Sequence, residues 1–368
     1  MIISQLKAYQ YRNIAAADFS LSRSLTVLYG DNGQGKTNLL ESIFLLGSIR
    51  PFRSVKIPHL IMHGCAESSV RGVFERNGSR HTLVLGLKQN QRRVLLDNKV
   101  VHNPAELHGK LLVTVFAPDE IAIIRLGPDQ RRRYVDRLLY SLNRTFLDTY
   151  HHYYRTLKQR NAVLKSGSYA DLDIWDRQLA TAGCALMVYR SDYIQKLSKK
   201  TACYYRTIAG GHEDVSLSYS PALDFPEHDS IPCFLEALTA SREQDIRLRA
   251  TSCGPHKDDI LFRIGGHPLK SCGSQGQHRS FILAMKLAEI ELLEETFGES
   301  PILLLDDITS ELDRKRLHNL LTIFDQKGIQ VVVTTTDPNH FASVPQQGVA
   351  HYKIVAGSVH HEDVKDYE

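Results

Sequence analysis

The segment Gly30-Asp31-Asn32-Gly33-Gln34-Gly35-Lys36-Thr37 satisfies the pattern G-x-x-x-x-G-K-[ST] in full. Glycines at these positions let successive backbone N–H groups turn inward and cradle phosphate oxygens, and the helix that follows adds its positive end. Lys36 supplies a point charge for β and γ oxygens, Thr37 a hydroxyl ligand for Mg²⁺, and Asn38 carries the loop into the helix. A chain of this length meets the pattern by accident roughly once in a hundred. The match reads as a nucleoside triphosphate site. Such a loop needs an acid at the end of a neighbouring strand. Ile302-Leu303-Leu304-Leu305 followed by Asp306-Asp307 meets that need. Asp306 suits the Mg²⁺ shell, and Asp307, one residue further out, suits a general base for the attacking water.

A third segment, Cys272-Gly273-Ser274-Gln275-Gly276-Gln277-His278-Arg279, opens a long helix. A serine and glycines at a helix start form an anion site, although most such starts are simply caps. With the acid pair about thirty residues later, the segment reads as a second γ-phosphate contact. Ser310-Glu311-Leu312-Asp313 adds a further turn after the acid strand. No Asn-Lys-x-Asp motif for guanine is present.

Elements that could bring these groups together follow from periodicity. Ile2 to Tyr11 and Leu25 to Tyr29 read as strands, and Leu39, Leu40, Ile43, Phe44 and Leu46 repeat with helical spacing. Residues 69 to 101 read as hairpins turning at Asn77-Gly78 and Asp97-Asn98. From Pro118 to about Ala250 the chain is rich in Arg, Tyr, Leu and Gln, which predicts mostly helix, with Ser218 to Pro232 as a loop. Strand signals return at 260–264, 302–305 and 330–334, alternating with helices near 277–297 and 312–324, which argues a parallel α/β sheet. The last dozen residues are expected to trail off. The expected division is 1–117 and 251–368 as two halves of one α/β domain, with 118–250 as a compact helical lobe inserted between them.

Composition narrows the class. The chain has 368 residues, 42% hydrophobic and 23% charged, with a mean hydropathy of -0.25. No run is apolar enough for a membrane span, and the opening residues lack a signal-peptide pattern, so a cytoplasmic protein is expected. Six cysteines without a Cys-x-x-Cys pair exclude the common zinc ribbons. The net charge of +4 is segregated: 125–165 holds ten Lys or Arg against three acids, and 286–313 one Lys against nine acids.

These residues together resemble the ATP-binding-cassette ATPases and, within them, the RecF family. Ser274, Gly276 and Gln277 look like that family's signature motif, and Ser310 and Asp313 its D-loop. Tyr11-Arg12-Asn13, Gly33 through Glu41, Arg131-Arg132-Arg133-Tyr134-Val135-Asp136, Gly254 through Asp259 and Ser274 through Glu289 carry the likeness, in order, across most of the chain. The resemblance implies ATP and Mg²⁺ as cofactors and a homodimer in which each signature faces the P-loop of the second chain. No switch histidine follows the strand at 331–333; Thr334-Thr335-Thr336 stands there, and Thr335 is the candidate γ-phosphate sensor. Arg12 is a candidate to stack on the adenine. Asp307, shorter than the glutamate of many cassette ATPases, suits slow, switch-like hydrolysis.

The resemblance also implies binding to single-stranded and duplex DNA at gaps or junctions, stimulation of hydrolysis by DNA, and work with the mediators RecO and RecR to load the RecA recombinase. Arg131, Arg132, Arg133 and Arg137 in the basic segment are the candidate DNA contacts, although Arg131 to Arg133 would serve equally as structural partners of acids. His256-Lys257-Asp258-Asp259 reads as a turn between strands rather than a metal cluster. The alternatives are a transporter cassette subunit, disfavoured by the helical insert, and a defence ATPase, which would require an additional nuclease domain.

Overall fold

The computed structural model describes residues 1–49, 56–89, 91–210, 213–223, 230–311, 314–341 and 348–362. The chain forms two compact units, Met1–Glu120 with Ile290–Glu368, and Ile121–Glu289.

The first unit holds two six-stranded sheets. One is antiparallel, built from β1 (Ile2–Tyr11), β2 (Ile14–Ser20), β4 (Glu67–Arg76), β5 (Ser79–Lys88), β6 (Gln91–Leu96) and β7 (Lys99–Val100), in the order β2-β1-β4-β5-β6-β7. Its turns fall at Asn77-Gly78 and Asp97-Asn98, where Asn77, Asp97 and Asn98 take positive φ as tight hairpins require. The other sheet runs β15-β14-β3-β13-β12-β8, from β3 (Leu25–Tyr29), β8 (Val113–Phe116), β12 (Ile302–Leu305), β13 (Val331–Thr335), β14 (Val349–Val355) and β15 (Ser358–Glu362). All its pairings are parallel except β14 with β15. The strands β3, β12 and β13 are buried at every position, which is why they read as unbroken apolar runs.

Helix α1 (Lys36–Ser48) packs on strands of both sheets, and Leu39, Leu40, Ile43, Phe44 and Leu46 join one core with Ile3, Leu6, Phe74, Leu304 and Val332. Buried Gln330 stitches the layers: its Oε1 accepts from Ile3 N at 2.7 Å, and its Nε2 donates to Ile3 O and Ser22 O. The unit also contains α10 (Ile308–Glu311) and α11 (Arg314–Gln326).

The second unit is mostly helical: α3 (Pro128–Leu142), α4 (Arg144–Ser166), α5 (Leu172–Ala209), α6 (Ser230–Ala240), α7 (Arg242–Leu248) and α8 (Leu269–Cys272). Two further helices, α2 (Pro118–Ile121) and α9 (Gln275–Phe297), straddle the divisions between units. A small sheet, β11-β10-β9, comes from β9 (Val215–Ser220), β10 (Asp259–Ile264) and β11 (His267–Pro268).

The structure corrects three sequence expectations. Ser218–Ser220 belong to β9, paired with β10, and Pro232 lies in the first turn of α6. There its missing N–H costs nothing, so the prolines do not make the whole segment a loop. His256 to Asp259 do not turn between strands; a 3₁₀ turn at Pro255–Lys257 leads from α7 into β10. Ser358–Glu362 form an edge strand rather than a loose tail, because β14 offers a hairpin partner that local polarity conceals. Among the described residues no helix is long and apolar enough to cross a membrane.

Candidate functional site

The sheet places the expected chemistry at the carboxyl ends of parallel strands, where open α/β sheets receive ligands. The loop Gly30–Gly35 leaves β3, Asp306 leaves β12, and Thr334 and Thr335 end β13, the strand between them. Gly30 has φ 143, and a Cβ there would stand 2.5 Å from Ile354 O, so only glycine lets β14 approach this closely. Lys36 Nζ donates to the carbonyls of Gly30 at 2.5 Å and Asp31 at 2.8 Å, closing the loop on its own ammonium. Burial lowers the Lys36 pKa, and Asp307, Asp31 and Asp306 work against that shift.

Thr37 Oγ1 donates to Asp306 Oδ1 at 2.8 Å, so the two expected Mg²⁺ ligands meet although 269 positions separate them. Thr334, one residue before the expected sensor Thr335, donates to the same Oδ1 at 2.8 Å and accepts from Asp307 N at 2.9 Å. The strand's alternation turns Thr335 the other way. Its hydroxyl lies 3.2 Å from Thr309 Oγ1 and caps the turn at Asp337. Asp307 sits in the left-handed region at φ 49, a conformation that aspartate tolerates better than most residues. Among the described residues no group of three or more His, Cys, Asp or Glu could hold a metal alone. A hydroxyl beside one carboxylate instead fits Mg²⁺, which keeps waters and shares phosphate oxygens.

Arg12 lies beside the loop at φ 52, with its Nε donating to buried Glu41 Oε2 at 2.5 Å; Tyr11 OH donates to the same oxygen at 2.9 Å. Arg12, Asn13 and Asn38 line an open cleft of about 750 Å³ shared with His63, Cys65 and Lys88. Asp31, Asn32 and Gly33 are exposed at the loop's tip.

In the second unit Ser274 caps α9. Gln277 N donates to Ser274 Oγ at 3.2 Å, and Ser274 N donates to Gln277 Oε1 at 2.7 Å, a reciprocal capping box. Gln277 Nε2 also reaches Glu213 Oε1 at 2.8 Å, and Gly276 follows in the first turn. Arg131 pairs with both carboxylate oxygens of Asp259 at 2.8 and 2.7 Å. Arg132, buried, donates to Asp258 O, whereas Arg133 is exposed beside Asp129 at 3.0 Å. The Arg137 guanidinium lies 5.4 Å from the centre of the Tyr134 ring. Ser310 falls in α10, and Asp313 lies outside the described residues.

A glycine-rich loop between β3 and α1, an acid pair after β12 and a mixed sheet backed by a second, antiparallel one define an ABC-type ATPase head. The family model of the RecF/RecN/SMC N terminal domain matches residues 2–357. A DNA replication and repair protein RecF of Trichlorobacter lovleyi is 50% identical over 98% of this chain and 99% of its own length. One from Geobacter metallireducens is 44% identical over 92% of this chain and 93% of its own. The solved structure of the recombination mediator protein RecF-ATPrS in the RecFOR pathway superposes with a TM-score of 0.89 at 29% identity, covering 98% of each chain. An Smc head bound to the C-winged helix domain of ScpA shares the fold, at TM-score 0.56 and 14% identity. The chain belongs to the RecF family.

Proposed function

We propose that this chain is a recombination mediator that binds ATP and Mg²⁺ and hydrolyses ATP slowly. The observation that carries the reading is the meeting of Thr37 and Asp306 at 2.8 Å beneath a complete phosphate loop. ATP's β and γ phosphates would lie on the loop amides and Lys36, with Gly30 to Asn38 as the cradle and Arg12 beside the base. Thr37 and Asp306 would hold Mg²⁺, which when bound neutralises phosphate charge. Asp307 would accept the proton of the attacking water, and Thr335 would sense the γ-phosphate through the turn it caps. The RecF structures named for ATP and for its analogue support the choice of nucleotide.

Each chain carries one P-loop and one signature segment, so two chains related by a two-fold axis complete two sites. In this reading Ser274, Gly276 and Gln277 of one chain close on the γ-phosphate held by the other, and Ser310 and Asp313 belong to the D-loop. Bound ATP favours the dimer and hydrolysis releases it. DNA, single-stranded or duplex at gaps and junctions, is held through phosphates. Arg133 and Arg137 are the primary contacts; Arg131 and Arg132 serve through the loop that they brace. RecO, RecR and, through them, RecA are the partners, in the cytoplasm beside the chromosome.

Hydrolysis measured against protein concentration, with and without gapped duplex DNA, tests the reading. Specific activity should rise with concentration and be stimulated by DNA; activity blind to both would refute the dimeric mediator.

A further inference from the structure

The hairpin joining β14 to β15 turns at Ala356 and Gly357, two residues with φ 46 and 82, between paired Val355 and Ser358. That is the geometry of a two-residue turn with both central residues left-handed. The turn grips the phosphate loop twice. Ala356 N donates to Gln34 Oε1 at 2.6 Å, and Gly357 N donates to Gln34 O at 2.8 Å. The same Gln34 carbonyl accepts from Asn13 Nδ2 at 3.2 Å, and Asn13 Oδ1 accepts from Asn38 Nδ2 at 2.8 Å. A Cβ on Gly357 would stand 2.3 Å from Asn13 O, so a side chain there pushes the turn away from Asn13, whose amide shares the Gln34 carbonyl.

We propose that the Ala356–Gly357 turn is a positioning element of the phosphate site, acting through Gln34. In a trans peptide the carbonyl and the following N–H point opposite ways. Holding the Gln34 carbonyl toward the hairpin therefore aims the Gly35 N–H away from it, on the side where a phosphate loop presents its amides. A residue more than 300 positions from the loop thereby sets the orientation of one of its donors. The inference rests on the nucleotide reading above.

A double-mutant cycle on the full chain, titrated with ATP in Mg²⁺ and followed by thermal melting of the nucleotide-free protein, tests it. Gly357→Ala lifts the whole turn and should weaken ATP binding about tenfold; Gln34→Met removes one hydrogen bond and should weaken it about threefold. The double variant should lose about tenfold, because both changes cut one link. ATP affinity within twofold of the parent in Gly357→Ala, with only the melting midpoint lowered, overturns the inference. So does a double variant whose losses multiply. Should Gly357→Ala fail to fold, Gln34→Met decides alone: weakened ATP binding with an unchanged midpoint supports the link, and parental affinity refutes it. A parent that does not bind ATP would instead sink the nucleotide reading.

Discussion

The phosphate site of the first unit and the core of the second hold their charged groups in opposite ways. In the first, Lys36 rests on two carbonyls and Asp306 on two hydroxyls, contacts that phosphate and metal can replace without leaving a stranded charge. In the second, Arg160 and Arg190 are completely buried and closed on carboxylates. Arg160 donates to Asp176 and Asp245, each at 2.6 Å, and to Thr251 at 2.8 Å. Arg190 forks onto Asp136 at 2.8 and 2.9 Å and reaches Pro255 O at 2.6 Å. Such buried pairs specify which segments meet, although Arg160 Nη2 itself has no hydrogen-bond partner among the described residues. The comparison therefore separates a frame, braced by permanent ion pairs, from a site whose partners are provisional.

The largest expected effect breaks the frame. Arg160→Met strands buried Asp245, leaves Asp176 with Arg242 alone, and should cost about 3–5 kcal/mol of stability, seen as a much lower melting midpoint. An unchanged midpoint would show that the network is incidental. Asp306→Asn should do the reverse. Turnover should fall on the order of a hundredfold or more, while the melting midpoint stays near the parent's. A large drop in midpoint would erase the distinction between the units.

Acid sharpens the contrast within the second unit. Burial pushes the His256 pKa down to about 4, with Tyr153 OH 2.7 Å from its Nδ1 and Thr251 O 3.1 Å from its Nε2. The unfolded chain therefore binds a proton that the folded one refuses. Stability should be full above about pH 6.5 and fall toward pH 4, by up to about 3 kcal/mol. Asp258, whose carboxyl pKa burial raises, works with the opposite sign near the bottom of that window. Melting curves of the parent and His256→Gln across this range should differ in slope; parallel profiles would remove His256 from the account. Ser274→Ala should cost less stability than the Arg160 and His256 changes. Losing the cap should cost about 1 kcal/mol, whereas a γ-phosphate contact in trans predicts a loss of turnover far beyond that.

The divide also explains what the sequence made legible. The phosphate loop and Asp306-Asp307 could be read because each is a short local pattern at the end of a buried apolar strand. Thr334 could not, because its role depends on β13 lying between β3 and β12, a fact of topology. Its only signal was the run of three threonines after that strand. The capping box of Ser274 with Gln277 was visible as S-x-x-Q. Arg160 and Asp258 looked like members of a basic stretch and a polar turn, since Asp245 and Arg190, their distant ion-pair partners, lie 85 and 68 positions from them. The edge strand Ser358–Glu362 has no apolar run at all and is recognisable only beside β14.

The central claim, that one chain's phosphate loop is completed by another chain's signature, is tested most directly by mixing two inactive variants. Lys36→Met retains an intact signature and Ser274→Arg an intact loop. If the site forms between chains, the mixture should regain hydrolysis, roughly a quarter of the parent's for random pairing. A mixture as inactive as its components, although shown to dimerise with ATP, would contradict the claim.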